Sequence, residues 1–219
     1  MFAHVMGKDY YLLIGDVVDS RNIRNREEFQ ERLRELLEDI NQKFEDEIYA
    51  QFKILKGVDE FGGVLKEPSN IYEIIKKIHE NILPKKVRSV LAKGGIDVSL
   101  EKKDVEYMDG PVFHRANELM EDLKKSKFYF QLEVSDELID SAIFGQINAL
   151  MLLKNEWTEK QLSVIKKYQK LGTQNKVANE MGITPQAISK SLDRSNYKRI
   201  KQIERKLNLQ FEKLERKNI

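Results

Sequence analysis

Tyr11-Leu12-Leu13-Ile14-Gly15-Asp16-Val17-Val18-Asp19-Ser20 decides how the rest of the chain is read. An apolar run of strand length reaches a glycine, then a carboxylate, two valines, and a second carboxylate beside a hydroxyl. A rigid strand that presents Asp16 at its tip suits a hard divalent cation, which takes oxygen ligands. A second acidic group lies in Lys56-Gly57-Val58-Asp59-Glu60-Phe61-Gly62-Gly63, where a turn joins the strand-like segments Phe52 to Gly57 and Gly62 to Leu65. Either cluster alone is commonly no more than a solvated strand end. Both together, in this order, are a more specific signal.

Outward from this core the N-terminal part alternates strands and helices. Phe29, Leu33, Leu36, Leu37, Ile40 and Phe44 recur at helical spacing from a start near Glu27. Pro68 and Ser69 open a second helix with Ile71, Ile74, Ile75, Ile78 and Ile82 on one face, stopped by Pro84. Val87 to Val98 reads as a strand containing Gly94-Gly95, which marks a bulge or a close approach. Asp109-Gly110-Pro111 turns into a helix from Val112 to about Leu123, and Phe128, Phe130, Leu132 and Val134 alternate as a last strand. The order predicts an α+β fold, a ferredoxin-like palm with a mostly antiparallel sheet.

Gly15-Asp16-Val17-Val18-Asp19-Ser20-Arg21 with Asp59-Glu60-Phe61 resembles the SatD family, and more distantly class III nucleotidyl cyclases and GGDEF-type cyclases, to about residue 140. In those cyclases the strand carboxylate and the hairpin carboxylate bind two metal ions that align a nucleoside triphosphate for in-line attack. The resemblance implies Asp16 and Asp59 as ligands of Mg²⁺ or Mn²⁺, with Glu60 as a further candidate. It places Val17, Asp19 and Ser20 where phosphates of a nucleoside triphosphate or other nucleotide are cradled. Gly110-Pro111-Val112-Phe113-His114-Arg115-Ala116-Asn117-Glu118-Leu119 resembles the cyclase element that supplies an asparagine to the ribose and an arginine to the transition-state phosphate. In that register His114 takes the asparagine's place and Glu118 the arginine's, with Arg115 on the adjacent helix face as a phosphate-binding candidate. An acid where a cation should meet developing negative charge argues for binding rather than catalysis. Val58 in place of a glycine, and Leu55 where adenylyl cyclases carry a lysine, point the same way.

Composition narrows the remaining classes. The 219 residues, 41% hydrophobic, suit one large or two modest domains. No apolar run has the length of a membrane span, and the N-terminus lacks targeting features, so a cytoplasmic protein without a membrane partner is expected. Cysteine is absent, which removes disulfides, thiolate catalysis and cysteine-ligated zinc. His4, His79 and His114 have no metal-ligand spacing.

The net charge of +2 conceals an asymmetry: residues 151–219 hold 16 Lys and Arg against 7 Asp and Glu, or +9, leaving −7 for residues 1–150. Two domains are expected accordingly, 1–150 and 151–219, with nucleic acid as partner of the basic one. Ser135-Asp136-Glu137 begins a capped helix that runs into the junction without a flexible linker. Helices are then expected at Thr158 to Leu171, Thr173 to Met181 and Thr184 to about Arg194. Met181-Gly182-Ile183 supplies the glycine turn of a helix-turn-helix. In its third helix Gln186, Ser189 and Lys190 would read base edges of duplex DNA, and Lys176, Thr184 and Arg194 would meet phosphates. Tyr197 to Ile219 is expected as a charged helix with an apolar stripe of Ile200, Ile203, Leu207, Phe211 and Leu214, suited to its own domain or to a homodimer. Two functional classes follow. One is a DNA-binding transcriptional regulator whose cyclase-like domain binds a metal-nucleotide or dimerises. The other is an active nucleotidyl cyclase or nucleotidyltransferase with an accessory nucleic-acid-binding domain.

Overall fold

The computed structural model describes residues 8–57 and 59–217. Val58, His4 and the end of the expected terminal helix lie outside them. The central strand β1 (Tyr10–Val17) pairs antiparallel with both β3 (Glu60–Leu65) and β4 (Val87–Gly94). At one edge β2 (Ile48–Lys56) pairs antiparallel with β3, and at the other the short β5 (Phe130–Glu133) pairs parallel with β4, giving the order β2-β3-β1-β4-β5. Side chains along β1 alternate between two cores, as a strand buried on both faces must. Tyr11, Leu13 and Val17 meet α1 (Arg26–Lys43) and α2 (Ile71–Ile82). Tyr10 and Leu12 meet α3 (Pro111–Lys125) on the opposite face. Gly15 is required where it stands: Phe61 lies across it in register, and a Cβ there would come within 2.1 Å of the ring.

Several boundaries move for physical reasons. The strand expected to Val98 ends at Gly94, because Asp97 and Val98 donate their N–H groups to the Asp109 carbonyl (2.9 and 3.1 Å) and draw the chain toward α3. Glu60, expected at the hairpin tip, is the first residue of β3 and pairs with Asp16. The N-cap of α4 (Glu137–Asn155) is Asp136, which accepts from the Ile139 N–H, while the Ser135 N–H is taken by Asp140. Residue 150, after which the second domain is expected to begin, lies within α4.

The helical region continues with α5 (Glu159–Leu171), α6 (Gln174–Met181), α7 (Pro185–Arg194) and α8 (Tyr197–Lys217). Its apolar residues join the core beneath α1 and α2 without a break, Leu207 and Phe211 included. Ile203, expected in the α8 stripe, is 41% exposed. The inward place beside it is taken by Glu204, which is only 2% exposed.

Glu204 is drawn inward by Lys154 of α4, whose ammonium lies 2.7 Å from Glu80 of α2 and also bonds Glu204. Tyr72 donates to Glu204 (3.2 Å), and Lys201 approaches its second oxygen at 2.8 Å. Burial alone would raise the Glu204 carboxyl; the charge and hydrogen bond of Lys154, with Lys201, hold it below the ordinary range. Beside this cluster His79 Nε2 pairs with Asn155 Oδ1 at 3.0 Å. Full burial, reinforced by the Lys154 ammonium and opposed by the Asn155 bond, pushes its imidazole down to about 3.

His79 is neutral in the fold, whereas the unfolded chain protonates below about pH 6.5. Stability is therefore full above that value and falls with acid, by about 1.4 kcal/mol per pH unit at most, down toward the folded pKa. The lowered carboxylates act only below the ordinary carboxylate range. Urea melts between pH 7 and 5 should show this slope in wild type and no loss of stability with acid in His79→Gln, since the raised Asp16 and Asp140 carboxyls act in the opposite sense; equal slopes in both would place the titration elsewhere.

Candidate functional site

Asp16, next to last in β1, is flanked in register by Glu60 on β3 and Arg88 on β4. Its carboxylate points to the α3 side, where Lys124 in the last turn of α3 lies 3.9 Å from it and 3.8 Å from Glu60. Arg88 approaches at 3.5 Å. Asp59 accepts a hydrogen bond from the Ser20 hydroxyl, and its carbonyl accepts the Val17 N–H at 3.2 Å. Burial raises the Asp16 carboxyl above its usual value; Asp59 and Glu60 add to this, while Lys124 and Arg88 oppose it.

A groove of about 660 Å³ runs from this acidic tip along α3. Leu12, Leu55 and Met108 give it apolar walls, and α3 presents Asn117, Glu121 and Lys124. Of the residues expected at the site, Asp16, Asp59, Glu60 and Ser20 gather at the strand tips. Val17 turns its side chain into the opposite core, and its N–H is spent on Asp59; the Val18 N–H is spent on the Lys86 carbonyl at 2.8 Å. Asp19 sits in the left-handed conformation (φ 56°) that starts a short 3-10 turn. His114 and Arg115 lie off the groove lining. His114 is largely exposed near Asp109 (3.8 Å), and Arg115 is held by Glu133 (2.9 Å) and Glu118 (2.7 Å). Arg88, Asn117, Glu121 and Lys124 were not anticipated. Counting helical turns from Phe113 reaches the last three, since positions 113, 117, 121 and 124 share a face.

The candidate ligands at the tips, Asp16, Asp59 and Glu60, are all carboxylates, the oxygen chemistry that a hard cation would require. Among the described residues no group of three or more His, Asp or Glu converges on a single point. Lys124 instead occupies the position between Asp16 and Glu60, so an ion held there would displace that ammonium.

The second candidate surface is on the helical region. Thr173 caps α6 and Thr184 caps α7, with Pro185 in the first turn, where a missing N–H costs nothing. Between them Gly182 takes φ 64°, a left-handed value that favours glycine, and the Ile183 N–H bonds the Ala178 carbonyl at 3.1 Å. Val177, Ala178, Ile188 and Leu192 are buried where α5, α6 and α7 meet. Lys176, Thr184, Gln186, Lys190 and Arg194 are exposed and Ser189 is half-buried.

The family model described as SatD family matches residues 10–209, from the first residue of β1 into α8. The chain belongs to the SatD family. No curated protein matches it. The SatD match takes in the sheet and the helical region together, so the acidic strand tips and the exposed face of α7 belong to one family unit. Among the described residues of this SatD chain no helix is long and apolar enough to cross a membrane.

Because the folded pKa of Asp16 lies above the unfolded value, its ionised form opposes folding at neutral pH, a cost that vanishes as acid protonates it. Asp16→Asn should therefore melt in urea at pH 7 at or above wild type, by up to about 1 kcal/mol, as is common where function opposes stability. A lowered midpoint would mean that the attraction of Lys124 and Arg88 outweighs burial.

Proposed function

We propose that this SatD protein is a cytoplasmic DNA-binding transcriptional regulator whose N-terminal palm-like region binds a metal-nucleotide. The observation that carries the reading is the open face of α7, with Gln186 and Lys190 exposed beyond a left-handed glycine turn and a capped helix start. This is the arrangement by which a helix-turn-helix enters the major groove and offers amide and ammonium groups to base edges. For the palm, the support is strand order. β2-β3-β1-β4 is antiparallel throughout with α1 and α2 on one face, which is the ferredoxin-like order; β5 and α3 are additions to it. For the ligand, the support is chemistry. Asp16, Asp59 and Glu60 offer oxygens to Mg²⁺ or Mn²⁺, and Arg88 and Lys124, released from the carboxylates, offer charge to the phosphates of a nucleoside triphosphate or other nucleotide.

A homodimer belongs to the reading, since helix-turn-helix proteins commonly span two half-sites. Leu138, Ala142, Gly145, Ala149 and Leu152 are exposed on α4 at alternating steps of four and three. A Cβ on Gly145 would meet nothing within 4 Å, so the chain's own packing does not require this glycine in mid-helix. A second α4 crossing there would require it. Sedimentation equilibrium should find Gly145→Leu monomeric and wild type dimeric; two dimers would remove α4 from the interface.

The enzymatic alternative, a nucleotidyl cyclase or nucleotidyltransferase, would draw on the same Arg88 and Lys124, cations of the kind that stabilise charge developing on a transferred phosphoryl group. Pyrophosphate release from any nucleoside triphosphate with Mg²⁺ or Mn²⁺ would decide for it. The regulator reading is tested by duplex selection followed by anisotropy. Gln186→Ala should lose about 1–3 kcal/mol at the selected site and relax the preference there. Lys176→Ala should weaken all duplexes alike and lower the salt slope. Uniform loss in both would leave α7 without a reading role, and no duplex binding at low salt would end the proposal.

A further inference from the structure

Over residues 197–206, before the exposed Glu212, the charges of α8 are sorted by face. Lys201 and Glu204 turn inward to the cluster around Lys154. Lys198, Arg199, Arg205 and Lys206 all turn outward and are exposed. At 100° per residue these four, with Gln202 between them, fall within about a third of the helix circumference. None of the four forms an ion pair among the described residues, whereas Lys167, Lys125 and Arg34, equally on surfaces, each hold a carboxylate. The excess of exposed cations also reaches back along the chain into α7, which packs on α8. From residue 190 to 206 the exposed ionic side chains are Lys190, Arg194, Lys198, Arg199, Arg205 and Lys206 against Asp193 alone.

We propose that this face of α8 is a phosphate-binding rail that extends the contact of α7 along the backbone of duplex DNA. The inference rests on the helix-turn-helix reading and adds to it an element outside that motif. Lys198 to Lys206 spans about 12 Å along the helix axis. Along the duplex axis that length covers three or four nucleotide rises of about 3.4 Å per strand, and fewer phosphates along the longer, winding backbone. Cations without carboxylate partners are the complement such a strand requires. An acidic membrane surface would share the charge requirement, but the exposed large apolar residues on α8 are only Ile203 and Leu209, with no exposed aromatic ring among its described residues to enter lipid. Cations on a backbone position the protein without reading sequence.

The test uses the full chain with Lys198, Arg199, Arg205 and Lys206 all changed to Gln. A charge-matched control changes Lys102, Lys103, Lys125 and Lys127 to Gln, and thermal melts verify both folds. Anisotropy with the selected duplex from 50 to 300 mM salt should show the α8 variant binding at least tenfold more weakly at low salt. Its plot of log affinity against log salt should be shallower by about 0.9 for each phosphate that is no longer neutralised. Base preference should be unchanged, and the control should follow wild type. If wild type binds duplex and the α8 variant keeps its affinity and slope, or falls no further than the control, the rail is overturned while the role of Gln186 stands. If wild type binds no duplex, the helix-turn-helix reading fails and the rail with it. Binding to phosphatidylglycerol vesicles that depends on the same four residues, without such dependence for duplex, would overturn the rail in favour of a membrane.

Discussion

Lys154 is the constraint on which the arrangement of the chain depends. Its ammonium is buried between Glu80 of α2 and Glu204 of α8, although its own helix, α4, continues directly from the sheet's edge strand. Withdrawing such a group from water costs several kcal/mol, and the two carboxylates offset this only in a geometry close to the one found. Shape alone would let α8 slide or rotate on α2, since apolar surfaces are non-directional. The ionic cluster, with Tyr72 bonding Glu204 and Asn208 bonding Glu73 at 2.8 Å, admits one register. An apolar replacement of similar volume would hold the same faces together but specify their orientation less.

This orientation matters because the two candidate surfaces lie on opposite sides of the sheet. The acidic groove is covered by α3, and the helical region packs beyond α1 and α2. Elements packed one on another join the two surfaces, among them β1, β4 and α2, and also β5 and α4, so a ligand at Asp16 would have such contacts to act through. An element that shifted Lys124 off Asp16 and Glu60 would act on the C-terminal end of α3, close in sequence to the start of β5. β5 packs on α4, and α4 carries Lys154, so this second route arrives at the cluster that fixes α8.

Much of the fold was legible because periodicity states it directly. Ile71, Ile74, Ile75, Ile78 and Ile82 all became buried positions of α2, and α7, expected from Thr184, begins one residue on at Pro185 with Thr184 as its cap. The acidic strand tips were legible for a similar reason, being carboxylates interrupting apolar runs. What escaped depended on partners distant in sequence. Arg88 is an ordinary strand arginine until β4 is placed beside β1, and Lys124 is one of several terminal helix lysines until α3 is laid over Glu60. His114 and Arg115 were placed by family register, whereas the groove is approached by the face bearing Asn117 and Glu121. Glu204 occupied a position that helical spacing alone would fill with an apolar residue, and only Lys154, fifty positions away, explains it.

Native-state hydrogen exchange is the most direct test of the central claim, that the sheet and the helical region open as one cooperative body held by the cluster. The slowest amides of β1, α2, α4 and α8 should share one opening free energy in wild type. In Lys154→Met those of α8 and α7 should exchange separately from β1. Exchange of α7 and α8 at a lower free energy than β1 already in wild type would contradict the account.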